Sequence, residues 1–285
     1  MLDKKIIEVE NFEFEIESLT RLSRPIQSNF QAIVLDYINK ISGKMGESPI
    51  TATRSDILFR IRSILYFVKL IWNEEKSLLR FINENSDMHQ IQRMNLSDDL
   101  VINQKAIFDS VLYHLGSLYD YYANMVGNIY YGKYGLKWNS LVKSAYDKSN
   151  SKIGDLQTAL IIESHKGFVD ALFSHRSYLI HKNMSHPGFK YTHNLGQDLY
   201  SIKVITPERF VNEFKQLKTE IGTTQISLKA SLIWILKYGF TNLNKLLYGM
   251  KDEMERLRKL DKGSDVIQDK RYPEGEVSMP YWKEE

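Results

Sequence analysis

Apolar residues recur at threes and fours along most of the chain. Ile57, Ile61, Leu65, Val68 and Trp72 follow one helical face, and the pattern runs on through Leu78, Leu79 and Ile82. This spacing predicts a helix over 57–84, with Ser55 or Asp56 as its cap. A polar stretch from Asn83 to Asn95 follows. Phe108, Val111, Leu112, Leu115, Tyr119, Tyr122, Val126 and Ile129 then predict a helix over 98–131, capped near Ser97 and ended by Gly132 and Gly135. Trp138 to Tyr146 reads as a short helix. A further helical segment, 155–182, starts at Asp155 and carries Leu156, Leu160, Phe168 and Leu172. Thr206-Pro207-Glu208 opens the last, 207–258, with a capping hydroxyl, a first-turn proline and an acid at the positive dipole end. That segment reaches Leu260, with a break near Gly222.

The remaining segments follow other patterns. Phe12-Glu13-Phe14-Glu15-Ile16 alternates with a period of two, which predicts a short strand within 6–16. Pro25 then opens a helix whose face carries Phe30, Ile33, Val34, Tyr37, Ile38 and Ile41. Gly43, Gly46 and Pro49 mark a linker, His186-Pro187-Gly188 a turn, and residues 189–205 a short β-hairpin. No repeat of fixed period occurs. The expected fold is mainly all-α: an antiparallel helical bundle over 50–260, a small N-terminal arm over 1–49 (short strand plus helix), and a polar tail over 261–285.

Composition narrows the class. With 285 residues, 43% hydrophobic and 26% charged, the chain is an ordinary globular one. Its zero cysteines remove disulfides, thiolate metal sites and cysteine nucleophiles, and favour a reducing, cytoplasmic setting. The N-terminal residues hold no apolar run of signal-peptide length. The longest apolar stretch, Ile64 to Val68 resumed by Leu70-Ile71-Trp72, falls short of the ~20 residues that span a bilayer, so no membrane partner is expected. Charge is uneven. Residues 1–18 hold six acids against two lysines, and residues 261–285 hold seven acids against four bases. Residues 133–193 hold nine Lys/Arg against four Asp/Glu, together with five of the seven histidines. A basic middle between acidic ends suits an anionic partner, although scattered surface charge would read the same way.

Phosphate-cradling glycine loops, a dinucleotide fingerprint, a nucleophile elbow and a zinc helix are all absent from the sequence. The histidines at 165, 175, 181, 186 and 193 lack metal-ligand spacing, so neither a metal nor another cofactor is expected. One segment stands out: Phe173-Ser174-His175-Arg176-Ser177-Tyr178-Leu179-Ile180-His181-Lys182-Asn183. Arg176 and His181 have four residues between them, late in a bundle helix. In this motif, and in the polar pair Asp120 and Asn124 within an aromatic stretch of the preceding long helix, the chain resembles the HEPN superfamily over about residues 54–260. One departure is Ser177, where family members often carry Asn, Asp or His.

The resemblance implies metal-independent RNA cleavage by a bacterial toxin or phage-defence effector. Arg176 and His181 would be catalytic, with Ser177, Asn183, Asp120 and Asn124 in support. The residue types suit this chemistry. Histidine titrates near neutrality and can move a proton at the 2′-hydroxyl or the leaving 5′-oxygen, and a guanidinium offers a bidentate charge to phosphate. A separation of five places the two ~140° apart around an ideal helix. A distorted helix end, or a homodimer with a shared groove as in HEPN domains, would bring them together. Expected partners are therefore RNA, a second copy of the chain, and an antitoxin or defence-system component. Plainer readings stay open. Arg176 could neutralise the C-terminal carbonyls of its helix, and His181 could be satisfied by backbone carbonyls. Asp120 and Asn124 could simply solvate the bundle. The tyrosines at 113, 119, 121, 122, 130, 131 and 134 read as packing groups, and Lys143, Lys148 and Lys152 as phosphate contacts or surface charge. The alternative function is a non-catalytic HEPN-like module that binds nucleotide, RNA or a protein.

Overall fold

The computed structural model describes residues 6–38, 49–85, 87–131, 135–146, 157–181, 188–194 and 199–261. Among these, eight helices and a two-stranded hairpin follow in the order α1 (Phe12–Tyr37), α2 (Pro49–Glu84), α3 (Gln90–Tyr131), α4 (Trp138–Tyr146), α5 (Gln157–His181), β1 (Gly188–Asn194), β2 (Leu199–Ile205), α6 (Glu208–Glu213), α7 (Lys215–Ile221) and α8 (Leu228–Asp261). The protein is a mainly α-helical bundle.

The strand expected within 6–16 is a helix instead. Asn11 caps α1 by accepting a hydrogen bond from Phe14 N (3.0 Å). Phe12, Ile16 and Leu19 are buried while Phe14 is exposed. Three alternating residues satisfy both periods, and the i, i+4, i+7 burial decides for the helix. Ahead of the helix, Ile7 makes a parallel bridge to Ile226. Pro25 lies inside α1 rather than opening it, so one helical hydrogen bond is missing there. Nearby, the Leu22 carbonyl accepts from Asn244 Nδ2 of α8 (3.1 Å).

Helix α2 begins at Pro49, so Ser55 and Asp56 are interior residues rather than caps. Helix α3 begins at Gln90, and the Ser97 hydroxyl bonds back to the Arg93 carbonyl (2.8 Å) within the helix instead of capping it. The short 85–89 connection makes α2 and α3 an antiparallel pair. Helix α4 spans the residues expected for it. The break at Gly222 is present, with the glycine left-handed at φ 65°, and a second break falls at Phe214. Thr206 does not cap α6: its hydroxyl is buried against the Ser227 carbonyl (3.0 Å) and Ser231 Oγ (2.7 Å). The expected start at Asp155, the linker glycines, the His186-Pro187 turn and the tail lie outside the described residues.

One core joins α1 to α5 and α8. Helix α1 packs on α8 and α2, and α5 on α3, α4 and α8. Seven buried side chains of α1 (Phe12, Ile16, Leu19, Ile26, Phe30, Ile33, Val34) contribute to it. At about 1.5–3 kcal/mol each, their gross contribution is roughly 10–20 kcal/mol, comparable with the whole net stability of a domain. Some interior polar groups are paired across helices: Lys229 of α8 bonds Glu75 of α2 (2.6 Å), and Gln104 of α3 donates to Glu75 (3.3 Å). The hairpin, with Gly188 opposite Ile205, buries Ile202 and Val204 and closes over the far end of α2 and α3 through Ile82 and Leu100.

Candidate functional site

Helix α5 turns a stripe of Ala159, Ile162, His165, Phe168, Val169, Leu172 and His175 into the core. Arg176 sits on the flank of that stripe, half-buried, while Ser177 faces solvent. The helical backbone continues to His181. Asn183 lies outside the described residues, so of the six residues singled out, the structure joins Arg176 and Asp120.

Their meeting point is one face of α3, where Tyr113, Gly116 and Asp120 follow at spacings of three and four. The Arg176 guanidinium carbon lies 4.3 Å from the Tyr113 ring centroid and 6.0 Å from that of Phe173. Its Nη1 is 3.6 Å from Asp120 Oδ2. Arg176 passes beside Gly116, where a Cβ would meet its Nη1 at an ordinary contact distance of 3.8 Å. Asp120 Oδ1 accepts the Trp138 backbone N–H at the start of α4 (3.3 Å), which satisfies a donor left over at a helix start. Burial pushes the Asp120 carboxyl above its ordinary range, opposed by that hydrogen bond and by Arg176 and Lys137. Asn124, four residues further along, makes no hydrogen bond or ion pair with Arg176, and its Oδ1 is buried without a hydrogen-bond partner.

The reading of the tyrosines as packing groups holds for Tyr119, Tyr122 and Tyr130, which are buried. Tyr119 donates to the Gly239 carbonyl (3.0 Å) and Tyr122 to the Leu246 carbonyl (3.4 Å). Burial raises the pKa of both phenols. Tyr113 differs: it is 41% exposed and carries arginine on its ring.

Sequence reasoning missed two groups here. The first is Arg60 of α2, whose guanidinium carbon is 5.4 Å from the same Tyr113 ring and whose Nη1 is 3.0 Å from His114 Nδ1. The second is buried: His175 lies between Asp109 (Nε2 to Oδ1, 3.8 Å) and Glu213 (Nδ1 to Oε2, 3.8 Å), with Lys105 bonded to Asp109. It joins α3, α5 and α6, and Phe210 meets the His175 ring edge-on at 4.9 Å. Neither group could be assembled from local signals, because its members come from different helices, apart from the i, i+4 pair Lys105 and Asp109 of α3.

Lys143 lines an open groove of about 630 Å³ with Asn139, Val142, Tyr146, Lys166 and Asp170. Lys148 and Lys152 lie outside the described residues. Among the described residues, no group of His, Asp and Glu is placed to hold a metal ion, and no helix is long and apolar enough to cross a membrane. In comparisons with known proteins, no family model matches the chain, nor does any curated protein or solved structure.

Proposed function

We propose that the chain is a HEPN-type, metal-independent endoribonuclease, acting as a bacterial toxin or phage-defence effector, with Arg176 binding the scissile phosphate and His181 moving the proton. The observation that carries this reading is the mounting of Arg176. Tyr113 fixes the guanidinium by its ring at 4.3 Å, and Asp120 approaches only to 3.6 Å. The group is oriented, 24% exposed, and left with N–H donors for a phosphate. The remaining geometry favours two copies. Helix α5 stays α-helical to His181, so positions 176 and 181 remain ~140° apart around its axis, and a second subunit supplies the convergence.

The reaction is attack of the RNA 2′-hydroxyl on its own phosphorus. The P–O5′ bond breaks, leaving a 2′,3′-cyclic phosphate and a 5′-hydroxyl, while histidine takes or returns the proton. Purified protein should cut RNA with EDTA present, and should leave DNA uncut because it lacks the nucleophile. His181→Ala should slow cleavage by ~10²–10⁴-fold, and Arg176→Lys should rescue Arg176→Ala only in part. Cleavage that requires Mg²⁺, or that persists undiminished in His181→Ala, would overturn this mechanism, and absence of any cleavage would favour the binding module.

A further inference from the structure

Tyr113 carries two guanidinium groups. Arg176 reaches it from α5 at 4.3 Å and Arg60 from α2 at 5.4 Å, so two positive side chains from helices remote in sequence flank one phenol. Their counter-charge is incomplete. Arg176 has Asp120 at 3.6 Å. Among the described residues, Arg60 makes no ion pair with any carboxylate, and its Nε is buried without a hydrogen-bond partner. Its one hydrogen-bond contact is the neutral ring of His114, whose pKa is pushed down to about 4 by burial and then by Arg60 itself. A half-buried cation without a counter-ion is costly, and an anion bound there relieves the cost.

The surroundings say which anion. Phe59, 60% exposed, lies 5.7 Å from the Arg60 guanidinium carbon, and Tyr113 is also exposed. Planar apolar rings beside guanidinium groups suit a chain that alternates flat bases with phosphates. An acidic peptide would use the charge and leave the rings uncovered.

We infer that Arg60 and Arg176, organised by the Tyr113 ring, clamp adjacent phosphates of a single-stranded RNA, with Phe59 beside them as a stacking surface for a base. The inference rests on the reading of the Arg176 site as an RNA site. It adds a binding residue, Arg60, and an organising residue, Tyr113, that the Arg-His motif does not contain.

The test is fluorescence anisotropy of the full chain with a labelled single-stranded 2′-O-methyl oligoribonucleotide, which cannot be cut through its 2′-oxygen. The wild type should bind with a steep salt dependence. Arg60→Ala should weaken binding by about ten-fold or more and lower the slope of log K against log salt by about one. Arg60→Lys should recover the slope but only part of the affinity, because the planar fork is gone. Tyr113→Phe should bind like the wild type, and Tyr113→Ala should bind like Arg60→Ala while keeping a normal circular-dichroism spectrum. Unchanged affinity and slope in Arg60→Ala would overturn the clamp. So would failure of the wild type to bind, or equal competition by a poly-glutamate peptide. Cleavage is read separately: no cleavage of unmodified RNA by the wild type, together with weakened binding by Arg60→Ala, would sink the ribonuclease and leave the clamp standing.

Discussion

His114 and His165 each lie beside a cation in a poorly hydrated place, Arg60 in one case and Lys245 in the other. Burial first, and the neighbouring charge second, bring both pKa values from 6.5 down to about 4. The sign of the linkage follows. Between about pH 6.5 and pH 4 the unfolded chain binds protons at these histidines that the folded chain refuses. Their contribution to stability is therefore complete above pH 6.5 and is lost as pH falls towards 4. Urea midpoints should drop on acidification across this window, and His165→Leu should reduce the drop by removing one of the two groups. An unchanged pH slope in that variant would show that His165 is already protonated in the fold. At this scale the sequence was informative where residues share a helix. Arg176 and His181 were singled out by the spacing of a family-like motif, and Asp120 by the resemblance of the aromatic stretch that holds it. It was silent on Arg60, because nothing within its own helix indicates that a tyrosine of α3 will lie against it.

Helices α3 and α8 come into close contact at Gly239. A Cβ built there would lie 3.1 Å from both Leu115 Cδ atoms, and the Gly239 carbonyl accepts from Tyr119. Leu115 is fully buried and has little room to withdraw. Gly239→Ala gains about 1 kcal/mol of helix propensity. Overpacking of this kind typically costs about 1–3 kcal/mol, and displacing the backbone also strains the tyrosine hydrogen bond. The variant should melt at a lower temperature than the wild type; a higher melting temperature would mean that the two helices separate freely. The same element scale explains which boundaries were legible. Long three-four patterns located α2, α3, α5 and α8, because burial on one face is what forms them. Starts were misplaced wherever a plausible cap lay inside a helix, as at Ser55 and Ser97. Phe12-Glu13-Phe14-Glu15-Ile16 was misread because five residues are too few to separate a period of two from 3.6. Pro25 was misplaced because packing of both halves of α1 outweighs the loss of one hydrogen bond.

Across the whole molecule, the proposed chemistry poses a question of assembly. Arginine and histidine must act on one phosphate, yet α5 carries them on different sides of one continuous helix. A two-fold dimer meeting motif to motif resolves this by pairing Arg176 of one copy with His181 of the other. Mixing two inactive variants distinguishes this arrangement from one within a single copy. A chain with Arg176→Ala and a chain with His181→Ala each lack one member, so either homodimer should be nearly dead. In the mixed dimer, one composite site draws its arginine from the His181→Ala chain and its histidine from the Arg176→Ala chain, and is intact. With random assortment, half the dimers are mixed and each has one working site of two. The mixture should therefore recover about a quarter of the wild-type rate if sites are shared across a two-fold axis. If each copy works alone, no mixture regains activity. Light scattering that finds only monomers, alongside an active wild type, would likewise rule out the shared site.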